Sequence, residues 1–213
     1  MKRSISLLTA LCSGLVASSL TPAAHAAIPT VVAGDGVLCD LTRTLSSGAT
    51  DVRCLIAPGS DPHHLQLTPT NRKDISQSNL VLINGYGLTP TLARLQGSFQ
   101  LISVGEQAVP NNPTRDPHLW HNPINTSAMA SVVSRALQQL PVSAESKVGL
   151  QRRLKTTQGI LRDLDAWNRQ QIATIPAKHR VVVAEHLAFG FFTNRYGMKQ
   201  VAMIDDHATG GQL

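Results

Sequence analysis

Short apolar runs alternate with helical segments along the first half of the chain, and this alternation constrains the fold more than any other feature. Strands are predicted for residues 30–33, 52–56, 80–83 and 100–104. The intervening segments are predicted to be helical: residues 37–45, a stretch that begins at Thr68, and residues 90–95. Strands separated by helices form a parallel sheet that is buried on both faces. The sequence therefore predicts an α/β fold.

Two helices carry clear start signals. Thr68 precedes Pro69, and Asn122 precedes Pro123, so in each case a capping side chain stands before a proline at the first helical position. After a predicted loop over residues 106–122, apolar residues recur at helical spacing as far as Leu140. This spacing predicts a helix with one buried stripe.

Residues 143–175 form a long charged stretch with almost no helix breakers. A single helix of this length would span about 45 Å at 1.5 Å per residue, which indicates a strut between two lobes. Beyond Pro176 the alternation restarts, with a strand predicted at 180–184, a helix at 187–196 that Gly197 ends, and a strand at 200–204. These three elements cannot bury their own apolar faces. The prediction is an N-terminal lobe at 27–142, a linking helix at 143–175 and the start of an incomplete second lobe at 176–213.

The first 26 residues have the layout of a secretory signal peptide. Lys2 and Arg3 precede a mostly apolar run that reaches Leu20, and Ala24-His25-Ala26 offers a small-x-small cleavage site. A membrane anchor is the alternative, but serines and a glycine interrupt the run, which is shorter than the roughly 20 apolar residues of a span. We predict cleavage after Ala26 and an exported, soluble protein.

Cysteines and charge narrow the possibilities further. Cys39 and Cys54 remain after cleavage, and an even number of cysteines in an oxidising compartment favours a disulfide, with two buried free thiols as the alternative. The formal net charge is +6, but the basic residues are scattered and do not cluster with aromatic residues. This distribution argues against a nucleic-acid partner.

Three histidines occupy comparable places in their β/α units. Asp61-Pro62-His63 follows one predicted strand, Asp116-Pro117-His118 precedes a helix, and His186 follows the strand at 180–184. Ligands bind at the carboxyl ends of strands in open parallel sheets. The aspartates could orient an imidazole through its second nitrogen. Three neutral imidazoles suit a borderline ion such as zinc better than magnesium or calcium.

Other residues compete for these roles. His64, His121 and His207 are weaker candidates, and we expect His64 and His121 to lie at the rim of the site or to face solvent. Glu185 is the main rival of His186, because a register shift of one residue would exchange them. A lone histidine beside a loop is more often a surface residue, so spacing alone leaves the metal site and a surface role both open. A zinc hydrolase is a further alternative, although the sequence has no His-Glu-x-x-His motif.

The motifs around these histidines resemble those of the zinc/manganese solute-binding proteins of bacterial ABC importers, the cluster A-I type. The resemblance extends over most of residues 28–204. It rests on three stretches: Gly59-Ser60-Asp61-Pro62-His63 with Thr68-Pro69-Thr70 and Asp74; Asp116-Pro117-His118-Leu119-Trp120 with Asn122-Pro123; and His186-Leu187-Ala188-Phe189-Gly190-Phe191-Phe192 with Arg195-Tyr196-Gly197.

The resemblance implies two α/β lobes joined by a rigid helix, with His63, His118 and His186 as three of four metal ligands. The fourth ligand of the family is an aspartate late in the second lobe, to which Asp205 and Asp206 do not correspond by motif, so the chain is expected to be C-terminally truncated. Histidine at position 186 resembles the zinc-preferring members, whereas manganese-preferring members tend to have glutamate there. The expected protein is a periplasmic, monomeric, non-enzymatic carrier of Zn²⁺, with Mn²⁺ possible, that serves a membrane permease.

Overall fold

The computed structural model describes residues 27–57 and 59–203. The predicted signal peptide, residues 1–26, lies outside this range. His25, Asp205, Asp206 and His207 lie outside it as well, so the structure says nothing about their roles.

A parallel sheet of four strands forms the N-terminal part of the protein, in the order β2–β1–β3–β4. The strands are β1 (Thr30–Ala33), β2 (Asp51–Cys54), β3 (Leu80–Ile83) and β4 (Gln100–Ser103). In the register of the sheet, Val32 of β1 lies between Arg53 of β2 and Val81 of β3. The carboxyl ends of all four strands therefore meet at one edge, and the predicted α/β fold is confirmed.

Helices cover both faces of this sheet, as the sequence predicts. Val31 and Leu82 pack on one side against α1 (Gly36–Ser46) and α4 (Pro123–Gln138). On the other side, Val81 packs with Ile75 of α2 (Pro69–Ser76). The central strands β1 and β3 supply residues to both clusters, which explains why their sequences are continuous apolar runs without alternation.

The helix starts follow the sequence signals closely. The Thr68 hydroxyl accepts the N–H of Asn71, whose side chain accepts the N–H of Thr68 in return, so α2 begins with a reciprocal cap. Asn122 caps α4 through the N–H of Ile124. The helix predicted at 90–95 is only a 3₁₀ turn, Pro90–Leu92. The short helix α3 (Val104–Ala108) takes up the first residues of the loop predicted at 106–122.

The long helix is present as α5 (Ala144–Ala173), and Ser143 caps it. Its first half packs on the N-terminal part, where Leu150 is buried and Arg153 donates to the carbonyl oxygens of Leu45 and Ser46. Its second half contacts the helix of the next β/α unit through Asp165. The two ends of α5 thus contact different parts of the chain.

The last described elements are β5 (Val181–Ala184), α6 (Gly190–Tyr196) and β6 (Lys199–Ala202), and the two strands pair in parallel. Helix α6 starts at Gly190 and not at 187 as predicted. The N–H groups of Ala188 and Phe189 instead bond to the His186 carbonyl and the Gln200 side chain, which keeps residues 186–189 in a loop. Gly197 ends α6 at φ 66°, as its position predicts.

Cys39 of α1 and Cys54 of β2 lie within bonding distance, with their Cα atoms 5.6 Å apart. This separation is typical of a disulfide. In the part of the chain that the structure describes, the helices are all too short or too polar to cross a bilayer.

Candidate metal centre

His63 leaves the sheet edge in a tight turn after β2. Pro62–His64 form a 3₁₀ turn that Asp61 caps, because its Oδ1 accepts the His63 N–H at 2.8 Å. The Asp61 carboxylate does not reach the His63 ring; its other oxygen lies 3.7 Å from Nε2 of His64. The prediction that this aspartate orients the His63 imidazole is therefore wrong, because the turn directs its carboxylate to the backbone.

His118 is the most constrained of the three histidines. Asp116 Oδ1 accepts its backbone N–H at 2.9 Å and contacts its Nδ1 at 2.8 Å. A carboxylate is an acceptor, so Nδ1 carries the proton and Nε2 is left with a free lone pair. The His118 side chain is 9% exposed. Here the carboxylate does orient an imidazole, as the sequence predicts.

His186 follows β5 and is half-buried, whereas Glu185 beside it is exposed. The loop that carries His186 is held by the bond from Ala188 N–H to its own carbonyl, at 2.8 Å. The structure brings His186, and not its rival Glu185, to the other two histidines.

The three Nε2 atoms converge. Nε2 of His118 lies 3.1 Å from that of His63 and 3.3 Å from that of His186. Ligand atoms of all three residues lie within 4.8 Å of one another, and within the described range this is the one cluster of its kind. A tetrahedral zinc ion with Zn–N bonds of about 2.0–2.1 Å places two ligand nitrogens about 3.3 Å apart. The spacing therefore fits one ion bound by three imidazoles.

The environment keeps His63 in the form that binds a cation. Burial lowers the pKa of His63, and the neighbouring His118 lowers it further. A lowered pKa keeps His63 neutral, with a lone pair available, at pH 7. The three histidines border an open cleft of about 970 Å³, which Arg115 and Lys199 also line. An ion could enter from this side.

The weaker candidates stay outside the cluster. His64 is exposed, with 87% of its side chain accessible, so it faces solvent as predicted. The ring of His121 packs on Phe189 with centroids 4.4 Å apart, and burial lowers its pKa.

Two polar contacts that the sequence analysis missed support the histidine loops. Asn84, at the end of β3, donates from Nδ2 to the Pro117 carbonyl at 2.9 Å, and Asn112 donates to the Asp116 carbonyl at 2.8 Å. For Asn84 the sequence did offer a signal: the polar pair Asn84-Gly85 directly follows a buried strand, at the edge where ligands bind.

A further contact that the sequence did not predict fixes α6 to the long helix. Asp165 of α5 accepts Nε and Nη2 of Arg195 at 2.9 and 2.7 Å, and the Tyr196 hydroxyl at 3.0 Å. At its other end α6 approaches the histidine site so closely that a Cβ on Gly190 would lie 2.8 Å from Asp116 Oδ2. Helix α6 is thus held between Asp165 and the carboxylate that orients His118.

Comparisons with known proteins agree with this architecture. The family model described as "Zinc-uptake complex component A periplasmic" matches residues 31–212. The "Manganese-binding lipoprotein MntA" of Bacillus subtilis is 29% identical over 182 residues, which make up 79% of this chain and 58% of that protein. The "Zinc-binding protein TroA" of Treponema pallidum is also 29% identical, over 80% of this chain and 58% of its own length.

The solved structure of the periplasmic zinc-binding protein TroA from Treponema pallidum superposes with a TM-score of 0.74 at 27% identity. The match covers 82% of this chain and 66% of that structure. The chain therefore spans 58% of the length of the two curated relatives and 66% of the solved structure.

Proposed function

Because the chain belongs to the family of the periplasmic component A of zinc-uptake complexes, we propose that it captures a divalent metal ion outside the inner membrane and delivers it to the permease of an ABC importer. His63, His118 and His186 are the proposed protein ligands. The observation that carries the proposal is the spacing of their Nε2 atoms, 3.1 and 3.3 Å, around one point.

Zinc is the proposed cargo. Three imidazole nitrogens suit zinc, whereas manganese favours carboxylate and other oxygen ligands. Relatives named for zinc and for manganese resemble the chain equally well, at 29% identity each. The choice of zinc therefore rests on the histidine at position 186 and not on the comparisons.

A zinc hydrolase is the second candidate, because three protein ligands with a further coordination position are also what catalytic zinc uses. A hydrolase needs a general base within reach of the metal-bound water. Glu185 directly precedes His186 in the sequence, and it is exposed. We propose that the protein is a carrier and not an enzyme; turnover of an activated ester by the zinc-loaded chain, lost in His118→Ala, would reverse this choice.

Further proposals concern the cellular context. Residues 1–26 serve as a signal peptide, the mature protein is periplasmic and monomeric, and Cys39 and Cys54 form a disulfide there. Residues 27–142 are one lobe, 143–175 the linking helix, and 176–213 belong to a second lobe. The 5.6 Å separation of the two cysteine Cα atoms supports the bridge.

Titration of the purified chain with zinc against a chromophoric chelator tests the proposal. One site is expected, with His63→Ala, His118→Ala and His186→Ala each abolishing high-affinity binding. His64→Ala is the matched control, because His64 adjoins His63 in the same turn but faces solvent. If each of the three single variants still binds zinc with wild-type affinity, the ligand assignment is overturned. If the wild type binds Mn²⁺ more tightly than Zn²⁺, the choice of cargo is overturned.

A further inference from the structure

Asn84 is buried at the carboxyl end of β3, with 1% of its surface accessible. Its Nδ2 donates to the Pro117 carbonyl at 2.9 Å and more weakly to that of Gly85 at 3.3 Å. Its Oδ1 is buried and, among the described residues, has no hydrogen-bond partner. A buried amide with an unsatisfied acceptor is unfavourable, so a native protein that keeps one needs a reason.

The strand residues before Asn84 make its surroundings largely apolar. Both its carbonyl oxygen and its Oδ1 lie close to Gly105, and the residues of β3 before it are apolar and buried. A leucine has the same branching and the same number of side-chain heavy atoms as asparagine, and it would leave no polar group unsatisfied in such a place. The Pro117 carbonyl does not depend on Asn84 alone, because the Leu119 N–H also donates to it at 2.9 Å. Local stability therefore does not account for the amide.

The contact does account for the position of His118. Pro117 directly precedes His118, and the bond from Asn84 crosses 33 residues of sequence to attach that loop to the rigid sheet. Other hydrogen bonds of the loop, such as those of Asn112 and Asp116, join residues within it. We infer that Asn84 is a positioning residue that presents His118 to the ion at the expense of sheet stability.

This inference rests on the proposed metal-binding function, and it predicts opposite effects on binding and on stability. In the full chain, Asn84→Leu is expected to weaken zinc affinity about 10- to 100-fold, the usual range for residues that support a metal ligand. The thermal midpoint of the metal-free variant is expected to stay unchanged or to rise. The visible spectrum of bound Co²⁺ should also change, since the His118 ring is no longer held in one orientation.

Asn79→Ala is the matched control. Asn79 lies at the other end of the same strand, where its Oδ1 accepts the Thr30 N–H at 2.8 Å, far from the histidines. This variant should lower the thermal midpoint and leave zinc affinity as it is. If Asn84→Leu does not fold, Asn84→Ala replaces it and is judged by zinc affinity relative to Asn79→Ala at a matched thermal midpoint.

The outcomes separate the two proposals. A wild-type chain that does not bind zinc refutes the proposed function, and the role of Asn84 falls with it. A wild-type chain that binds zinc, together with an Asn84 variant of the same affinity and the same Co²⁺ spectrum, refutes the positioning role alone. Equal losses of zinc affinity in the Asn84 and Asn79 variants would show that Asn84 acts only through general stability.

Discussion

Asp116 accepts two N–H groups of His118 with one oxygen, the backbone N–H at 2.9 Å and Nδ1–H at 2.8 Å. The other Asp-Pro-His tripeptide differs, because Asp61 accepts only the backbone N–H of His63. Two copies of one motif thus share the bond from the histidine backbone N–H to the aspartate, and only the second copy orients an imidazole. The difference arises from the surroundings: the Asp116 side chain is 15% exposed, whereas that of Asp61 is 52% exposed.

Removal of the Asp116 carboxylate should therefore weaken metal binding. In Asp116→Ala the His118 ring loses its fixed tautomer and orientation, and zinc affinity is expected to fall about 10- to 100-fold. Asp61→Ala is the matched control, with a clearly smaller loss in the same chelator competition. Equal losses in the two variants would mean that the turn, and not the carboxylate–imidazole contact, matters.

Asp35 gives a pH-dependent prediction. It caps α1 by accepting the Leu38 N–H, its Oδ2 has no partner among the described residues, and burial raises its pKa from 3.8 to about 6. Between about pH 4 and pH 6 the folded state holds a proton that the unfolded state releases. The unfolding free energy of the wild type therefore falls as pH rises through this range.

Asn keeps the cap but cannot ionise, so Asp35→Asn should escape that loss. The unfolding free energy of Asp35→Asn minus that of the wild type is expected to rise by up to about 3 kcal/mol from pH 4 to pH 7. Urea unfolding of the metal-free proteins at several pH values measures this difference. A difference that does not change with pH would contradict the raised pKa.

The ion pair between Asp165 and Arg195 predicts a stability effect. Arg195 holds the pKa of Asp165 well below its usual range, through two hydrogen bonds to the carboxylate. Asp165→Ala would leave Arg195 and Tyr196 without this acceptor. Because the Arg195 side chain is 31% exposed, the expected loss is about 2 kcal/mol, less than for a fully buried pair.

Asp163→Ala is the control for this prediction, since Asp163 lies on the exposed face of the same helix. Its unfolding free energy in urea should stay within about 0.5 kcal/mol of the wild type. If the two variants have similar unfolding free energies, the contact between α5 and α6 does not contribute to stability.

The cysteine pair can be tested without reference to the metal. Cys39 and Cys54 are 15 residues apart, and a disulfide that closes a loop of this size contributes about 3 kcal/mol by restricting the unfolded chain. The double variant Cys39→Ser/Cys54→Ser should lose about that much in urea unfolding. The wild type in reductant should match it, and an oxidised wild type no more stable than its reduced form would refute the bridge.

Much of the fold was predictable from local pattern. The strands at 30–33 and 80–83 have the predicted bounds, and the caps at Thr68 and Asn122 form as predicted, because apolar runs and capping side chains act over a few residues. The start of α6 was not predictable in this way. It depends on a bond between Phe189 and Gln200, which requires the pairing of β5 with β6.

Sequence pattern was enough to place His63 and His186 after strands and His118 before a helix, and so to name the three as candidates for one site. The folded structure was needed to bring their Nε2 atoms together, to select His186 over Glu185, and to show that Asn84 holds the loop before His118 and Asp165 holds α6. The reason lies in the sequence separation of the residues that interact. Strand and cap preferences are set by neighbouring residues, whereas these contacts join residues 30 or more positions apart and exist only once the chain has folded.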